Sequence, residues 1–372
     1  VTPRAGHVAA ILVVGVIGVL IAGLQPQLLG ALALEGRLSV AALGGLATVE
    51  LLAMGIAAAA ASFILPANRL RAIALCALLA TGLLDLATPL CGSGDIFAAR
   101  IAAGLGEGVL IWIAIGFIVG TARPERWSGI YLALQTLAQC ALASFIGLFA
   151  ASSGGGFGTL GAVTLAGVVA VRWMPDAHAA SAGDADGGTL PHGRGLLALA
   201  GVLLYLAFIV AIWVYVEPLA RQRGVLAPTV RFIVPLSLAM QVIGAGAATV
   251  LAGRLPPRAT ILYVGLLNLG VLAVMAEAPS GLFVVAIAMF GFLWLFALPF
   301  QVSLVIAADP TRRAAVLIGG AQLTGSSLGP LLASALVADS NVASVLLFGT
   351  ICLVAAVLAL LGAGSPRHGV GA

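Results

Sequence analysis

In the run FAARIAAGLGEGVLIWIAIGFIVG (97–120), Arg100 and Glu107 are the only charged residues. They are seven residues apart, two helical turns, so a helix projects them from nearly one face about 10 Å apart in height. Charge at bilayer depth costs several kcal/mol unless it is paired or hydrated. Glu107 falls near mid-depth of its segment, where a carboxyl is a candidate for exchanging a coupling proton; the structural alternative is a permanently paired or neutral carboxyl that joins helices. Arg100 stays protonated. It could hold an anion, tune nearby acids, or close the fold through a charge-assisted bond with Asp85.

Glu50 in ATVELLAMG is the other mid-depth acid, about 15 Å into its helix at 1.5 Å per residue. Two carboxyls at one depth can share a proton, so Glu50, Asp85 and Glu107 are the proton-coupling candidates. Glu217, beside Pro218 at a helix end, reads as a gate or substrate contact. Gln25 precedes Pro26, which breaks a helix locally. Gln135 and Gln322 hold matching places in the two halves of the chain. With Arg100, Glu217 and Trp294, these glutamines are the substrate and cavity candidates; for each glutamine the alternative is an interhelical hydrogen bond. Phe292, Phe296 and Phe300 form a stripe at i, i+4, i+8, read as packing or lipid contact unless it faces a cavity with Trp294 or Trp112.

Such groups need elements to position them. Of 372 residues, 62% are hydrophobic and 8% charged, against about 25% charged in soluble domains; mean hydropathy is +1.19. These values indicate an integral membrane protein. A spanning helix needs roughly 20 apolar residues, and twelve runs qualify: 8–34, 40–64, 71–90, 95–120, 127–151, 157–174, 195–217, 229–252, 259–277, 281–307, 313–338 and 341–363. The first is too long for a signal-peptide core. Four cysteines stand singly, and the four histidines fall in tails or the central loop, so no metal, redox or membrane-histidine relay motif is present. No cofactor is expected.

The polar stretch 175–194 divides the chain into an N-terminal six-helix bundle (1–174) and a C-terminal one (195–372). QP at 25–26 matches EP at 217–218, and PERWSGIYLALQ (124–135) matches PTRRAAVLIGGAQ (310–322), with offsets of 186 to 192 residues. All 17 basic residues are arginine, which suggests a GC-rich bacterial source. Twelve arginines lie on the side of the N-terminus; Arg37, Arg221, Arg223 and Arg231 lie opposite. The positive-inside rule then places both termini and the linker in the cytoplasm, in the inner (plasma) membrane of a bacterium.

RIAAGLGEG (100–108) is similar to the fourth-helix R-x-x-x-G-x-G motif of the major facilitator superfamily, and GSSLGPLLAS (325–334) is similar to its helix-11 G-P motif. The resemblance covers the whole chain in helix count and halves. It implies alternating access around a cavity lined by helices 1, 4, 7 and 10, and often links this arginine motif to coupling. The family's G-x-x-x-D-R-x-G-R loop is here FILPANRLRAIAL, which keeps Arg69 and Arg71 without the aspartate or glycines, and the fifth helix lacks the antiporter G-x-x-x-G-P.

The expected function is therefore a proton-coupled secondary transporter of a small organic solute, with efflux favoured by a cavity sparse in charge. The alternatives are proton-driven import of an organic anion, supported by Arg100, and a non-transporting receptor or scaffold. H-E-x-x-H, G-x-S-x-G and P-loop motifs are absent, so an enzyme is not expected. The expected partners are a small-molecule substrate, protons and lipid, with the chain a monomer and no nucleic acid bound, because the arginines are spread one or two per loop.

Overall fold

Backbone N–H and C=O groups in hydrocarbon must pair within their own segment, and long apolar runs do so as helices. In the structure, a computed structural model, residues 5–66, 68–121, 124–177, 191–251, 253–277, 279–309, 313–338 and 341–363 are described. Twelve long helices cover them: α1 Ala5–Leu34, α2 Ala42–Ile64, α3 Leu70–Ala87, α4 Ser93–Val119, α5 Pro124–Phe149, α6 Ser153–Ala166, α7 Gly193–Val214, α8 Ala227–Leu251, α9 Pro257–Glu277, α10 Ser280–Ala308, α11 Ile318–Ser334 and α12 Ser344–Ala363. Short helices Val168–Val171 and Val216–Gln222 prolong α6 and α7, and Arg313–Val316 precedes α11. Of the linker predicted at 175–194, residues 178–190 lie outside the described residues.

Eleven helices are long and apolar enough to cross a membrane, among the described residues. The twelfth, α11, has 17 residues, because the helix expected from 313 is interrupted at Leu317. The helix expected to run to 217 breaks at Tyr215. α6 begins at Ser153 rather than 157, where the Ser152 hydroxyl caps it by accepting from the Gly155 amide.

Two pseudo-symmetric bundles of six result. In the first, α1 packs on α4, α5 and α6, α2 on α4, and α3 on α4 and α6; adding six to each label gives the packing of the second. The bundles meet through α2 with α11 and α5 with α8, which the same operation exchanges. α1 and α7 are the most enclosed helices of their halves. Two close approaches set the α2–α4 distance: a Cβ on Gly104 would lie 2.5 Å from the Glu50 carbonyl oxygen and one on Gly108 still closer to that of Met54, so only glycine lets these backbones touch.

The end carrying the α6–α7 connection is the terminal end, and the opposite end is the far end. Every hydrogen bond described between the halves lies in the far half or near mid-depth. Trp213 Nε1 donates to the Ala22 carbonyl at 3.0 Å, and Gln27 Nε2 to that of Arg231 at 3.3 Å. The Tyr215 hydroxyl accepts from the Gly44 amide at 3.0 Å and donates to the Ala41 carbonyl at 3.3 Å. Thr48 donates to the Ser327 carbonyl at 2.7 Å.

Candidate functional site

Arg100 rises from the second turn of α4 into the middle of the first bundle and is wholly buried. Its Nε donates to Glu50 Oε1 on α2 at 2.8 Å, and its Nη2 pairs with the same oxygen. Nη1 donates to Asp85 Oδ1 on α3 at 2.6 Å and to the Thr88 hydroxyl at 3.4 Å. Nη2 also reaches Glu107 Oε1, two turns along α4, at 3.3 Å. Phe157 of α6 stacks under the guanidinium, 5.2 Å from its ring centre, and Thr164 of α6 donates to Asp85 Oδ2 at 3.4 Å. The planar five-donor fork of arginine is the side chain able to serve several carboxylates at once.

The balance of charge matters more than the count of bonds. One guanidinium faces three carboxyls, all essentially buried, so with every acid ionised the group would carry two uncompensated negative charges in a dry interior. Such charge is strongly disfavoured. Among the described residues, Glu50 Oε2 and Glu107 Oε2 have no hydrogen-bond partner. The buried amide of Gln25, on α1, lies beside the Glu50 carboxyl. Arg100, Glu50, Asp85, Glu107 and Gln25 are thus brought together.

The other candidates lie elsewhere. Glu217 is buried at the far end, with Arg221 Nη2 at 3.3 Å from its Oε2. It lies in the short helix Val216–Gln222 that prolongs α7, with its Oε2 against Gly30 of α1. Gln135 and Gln322 are half-buried on α5 and α11. Trp294 is half-buried on α10, edge-on to Trp213 at 5.6 Å between ring centres. Phe296 and Phe300 are buried, Phe292 partly so, and the stripe stacks ring on ring along α10.

Trp213 carries no polar neighbour in its apolar run, and the sequence reading passed over it. It joins α7 to α10 through Trp294 and to α1 through the Ala22 carbonyl, one turn before Gln25. Thr88, Phe157 and Thr164 were also missed; a hydroxyl inside an apolar helix was the available signal for the two threonines.

The pseudo-symmetry has a register. Gly104 packs on the Glu50 carbonyl, and Gly291 on that of Ser237; both pairs are related by 187 residues. At that offset Glu50, Asp85, Arg100 and Glu107 become Ser237, Leu272, Ile287 and Trp294. The second half carries no charge at the places where the first half carries four.

A two-bundle, twelve-helix membrane fold with these pairings is the major facilitator fold. The structure of a variant of the nucleoside transporter NupG is similar over 96% of this chain and 100% of its own, with a TM-score of 0.73 at 10% identity. The xylose transporter XylE from E. coli, in a partially occluded inward-open conformation, is similar over 95% of this chain and 97% of its own, with a TM-score of 0.70 at 14% identity. A bacterial homolog of the human lysosomal transporter Spinster, inward-facing and occupied, covers 98% of this chain and 96% of its own, with a TM-score of 0.65 at 14% identity. No protein-family model and no curated protein matches the sequence.

Proposed function

We propose that the chain is a proton-coupled secondary transporter, in which 1–174 and 195–372 rock about a central path and 175–194 joins them. The observation that carries this reading is the group of three carboxyls on one buried guanidinium. Charge balance gives the group reason to hold protons, and the unpartnered Oε2 atoms of Glu107 and Glu50 are where a proton would sit. Gln25 beside Glu50, and the Ala22 carbonyl on Trp213, put proton site and second half on one helix, α1. Protonation there can bias how the halves meet, which is what coupling requires.

Trp213, Trp294 and the neighbouring Phe290 favour a solute with an apolar or aromatic part, moved outward. Arg100 is surrounded by carboxyls, and this weighs against its serving an organic anion on import. Hydrogen bonds between the halves on the far side, with the terminal end in the cytoplasm of a bacterial inner membrane, correspond to an inward-facing state. The sealed cluster also supports transport over a receptor or scaffold role, because an apolar core is often as stable as a buried ionic one.

The test is proton release from purified protein in weakly buffered detergent while nucleosides, pentoses and aromatic cations are added, comparing native protein with Glu107→Gln. A solute-triggered release that the substitution abolishes supports the reading. Release that survives in both Glu107→Gln and Glu50→Gln would overturn it.

A further inference from the structure

Two prolines lie inside helices that meet at the seam between the halves, Pro26 in α1 and Pro235 in α8. Proline has no backbone N–H, so it leaves the carbonyl four residues earlier without its helical donor. In α1 that carbonyl belongs to Ala22, and in α8 to Arg231. Both are taken by a side chain of the opposite half: Trp213 Nε1 donates to Ala22 at 3.0 Å, and Gln27 Nε2 to Arg231 at 3.3 Å. The two bonds run in opposite directions across the seam, and both involve the stretch of α1 that Pro26 interrupts. Each donor is held from its own side. Trp213 is buried against Trp294, while Gln27 is buried and also donates to the Ala143 carbonyl of α5 at 3.1 Å. The α5 backbone closes on the same acceptor, since a Cβ on Gly147 would lie 2.6 Å from the Arg231 carbonyl oxygen. Thr48 also crosses the seam, but its acceptor, Ser327, stands three residues before Pro330 rather than four; the pattern belongs to α1 and α8.

We propose that these two proline-freed carbonyls form a latch that holds the far end closed, and that Pro26 and Pro235 set its strength. A carbonyl inside a regular helix already has a partner, and a second donor from across the seam adds less. A carbonyl freed by proline has no such partner, and a polar group left unpaired in a dry interior is costly. The donor across the seam therefore supplies its main bond. Opening the far end takes both donors away, and water entering the path has to replace them, so opening and hydration of these carbonyls go together. Restoring the missing N–H should weaken the latch as removing the donor does. The two changes should not add, because they act on one bond. The inference rests on the reading that the halves rock, and not on which groups carry protons.

The experiment is a pulsed electron paramagnetic resonance distance measurement on the full chain in detergent. Nitroxides are attached at Ser93→Cys and Glu277→Cys, exposed far-end positions of opposite halves, with the four native cysteines replaced by alanine. Trp213→Phe and Pro26→Ala should each raise the ratio of long to short distances about fivefold, and the double variant should match the singles rather than reach about twenty-five-fold. Gln27→Met and Pro235→Ala should behave in the same way as a second pair. Pro299→Ala in α10, where none of these bonds is made, is the control and should leave the ratio unchanged. Additive effects within either pair, or an equal shift from Pro299→Ala, would overturn the latch and leave rocking intact. A single distance, the same in every variant, would overturn the latch together with the reading of two rocking halves.

Discussion

Glu107 on α4 and Trp294 on α10 occupy equivalent positions in the two halves, 187 residues apart, in the register set by Gly104 and Gly291. One place holds an acid at the charged group, the other a ring on the Trp213 cluster. The halves have divided the chemistry. Substituting each residue should therefore separate two properties: Trp294→Leu should weaken solute binding about tenfold while any solute-triggered proton release persists at saturation, and Glu107→Gln should do the reverse. Fluorescence titration beside the proton-release assay measures both; loss of both properties in either variant would contradict the division.

Asp85 and Glu107 share Arg100 but differ in what else holds them. Asp85 binds Arg100 at 2.6 Å and accepts from Thr164, whereas Glu107 makes one bond at 3.3 Å and leaves Oε2 unpaired. Asp85→Asn weakens a short charge-assisted bond worth about 1.5–3 kcal/mol while Arg100 keeps Glu50 as its countercharge, and Glu107→Gln weakens a single long bond worth about 1 kcal/mol. Asp85→Asn should lower the unfolding temperature in detergent well below that of Glu107→Gln. Equal losses would mean that Glu107 is structural.

Removing the cation is a harsher change. Arg100→Gln leaves three buried carboxyls with no countercharge, a loss of about 3–5 kcal/mol at neutral pH. Acid supplies protons that neutralise the orphaned acids, so the deficit relative to native protein should shrink as pH falls from neutral to acid. Thermal unfolding across that range measures it; a deficit that does not change with pH would show that packing on Phe157, rather than charge, is what Arg100 provides.

Much of this architecture was legible in the chain because bilayer physics acts locally. Runs of about 20 apolar residues must be helices, and the seven-residue spacing put Arg100 and Glu107 on one face. The convergence of Glu50 and Asp85 on the same guanidinium was not legible in full. It depends on how closely α2 and α3 approach α4, and a glycine in a sequence marks a close approach without naming the partner. Trp213 was invisible for a related reason: inside an unbroken apolar run, a residue that reaches another half looks like one that reaches lipid. The shortness of α11 reflects the break at Leu317, before Gly319 and Gly320, whose low helix propensity does not register in hydropathy.

Gly44 is the narrowest point of the far-end seam. A Cβ there would meet the Pro330 carbonyl and fall 2.7 Å from the Tyr215 hydroxyl. Gly44→Val must push α2 away from α7 and α11, breaking the bonds that the Tyr215 hydroxyl makes to Gly44 and Ala41. At about 1 kcal/mol for each bond, the far-end-closed state should lose roughly tenfold or more in population. A cysteine placed at Ser327 should then react faster with an impermeant thiol reagent applied from the far side. An unchanged rate would mean that this seam does not close the path.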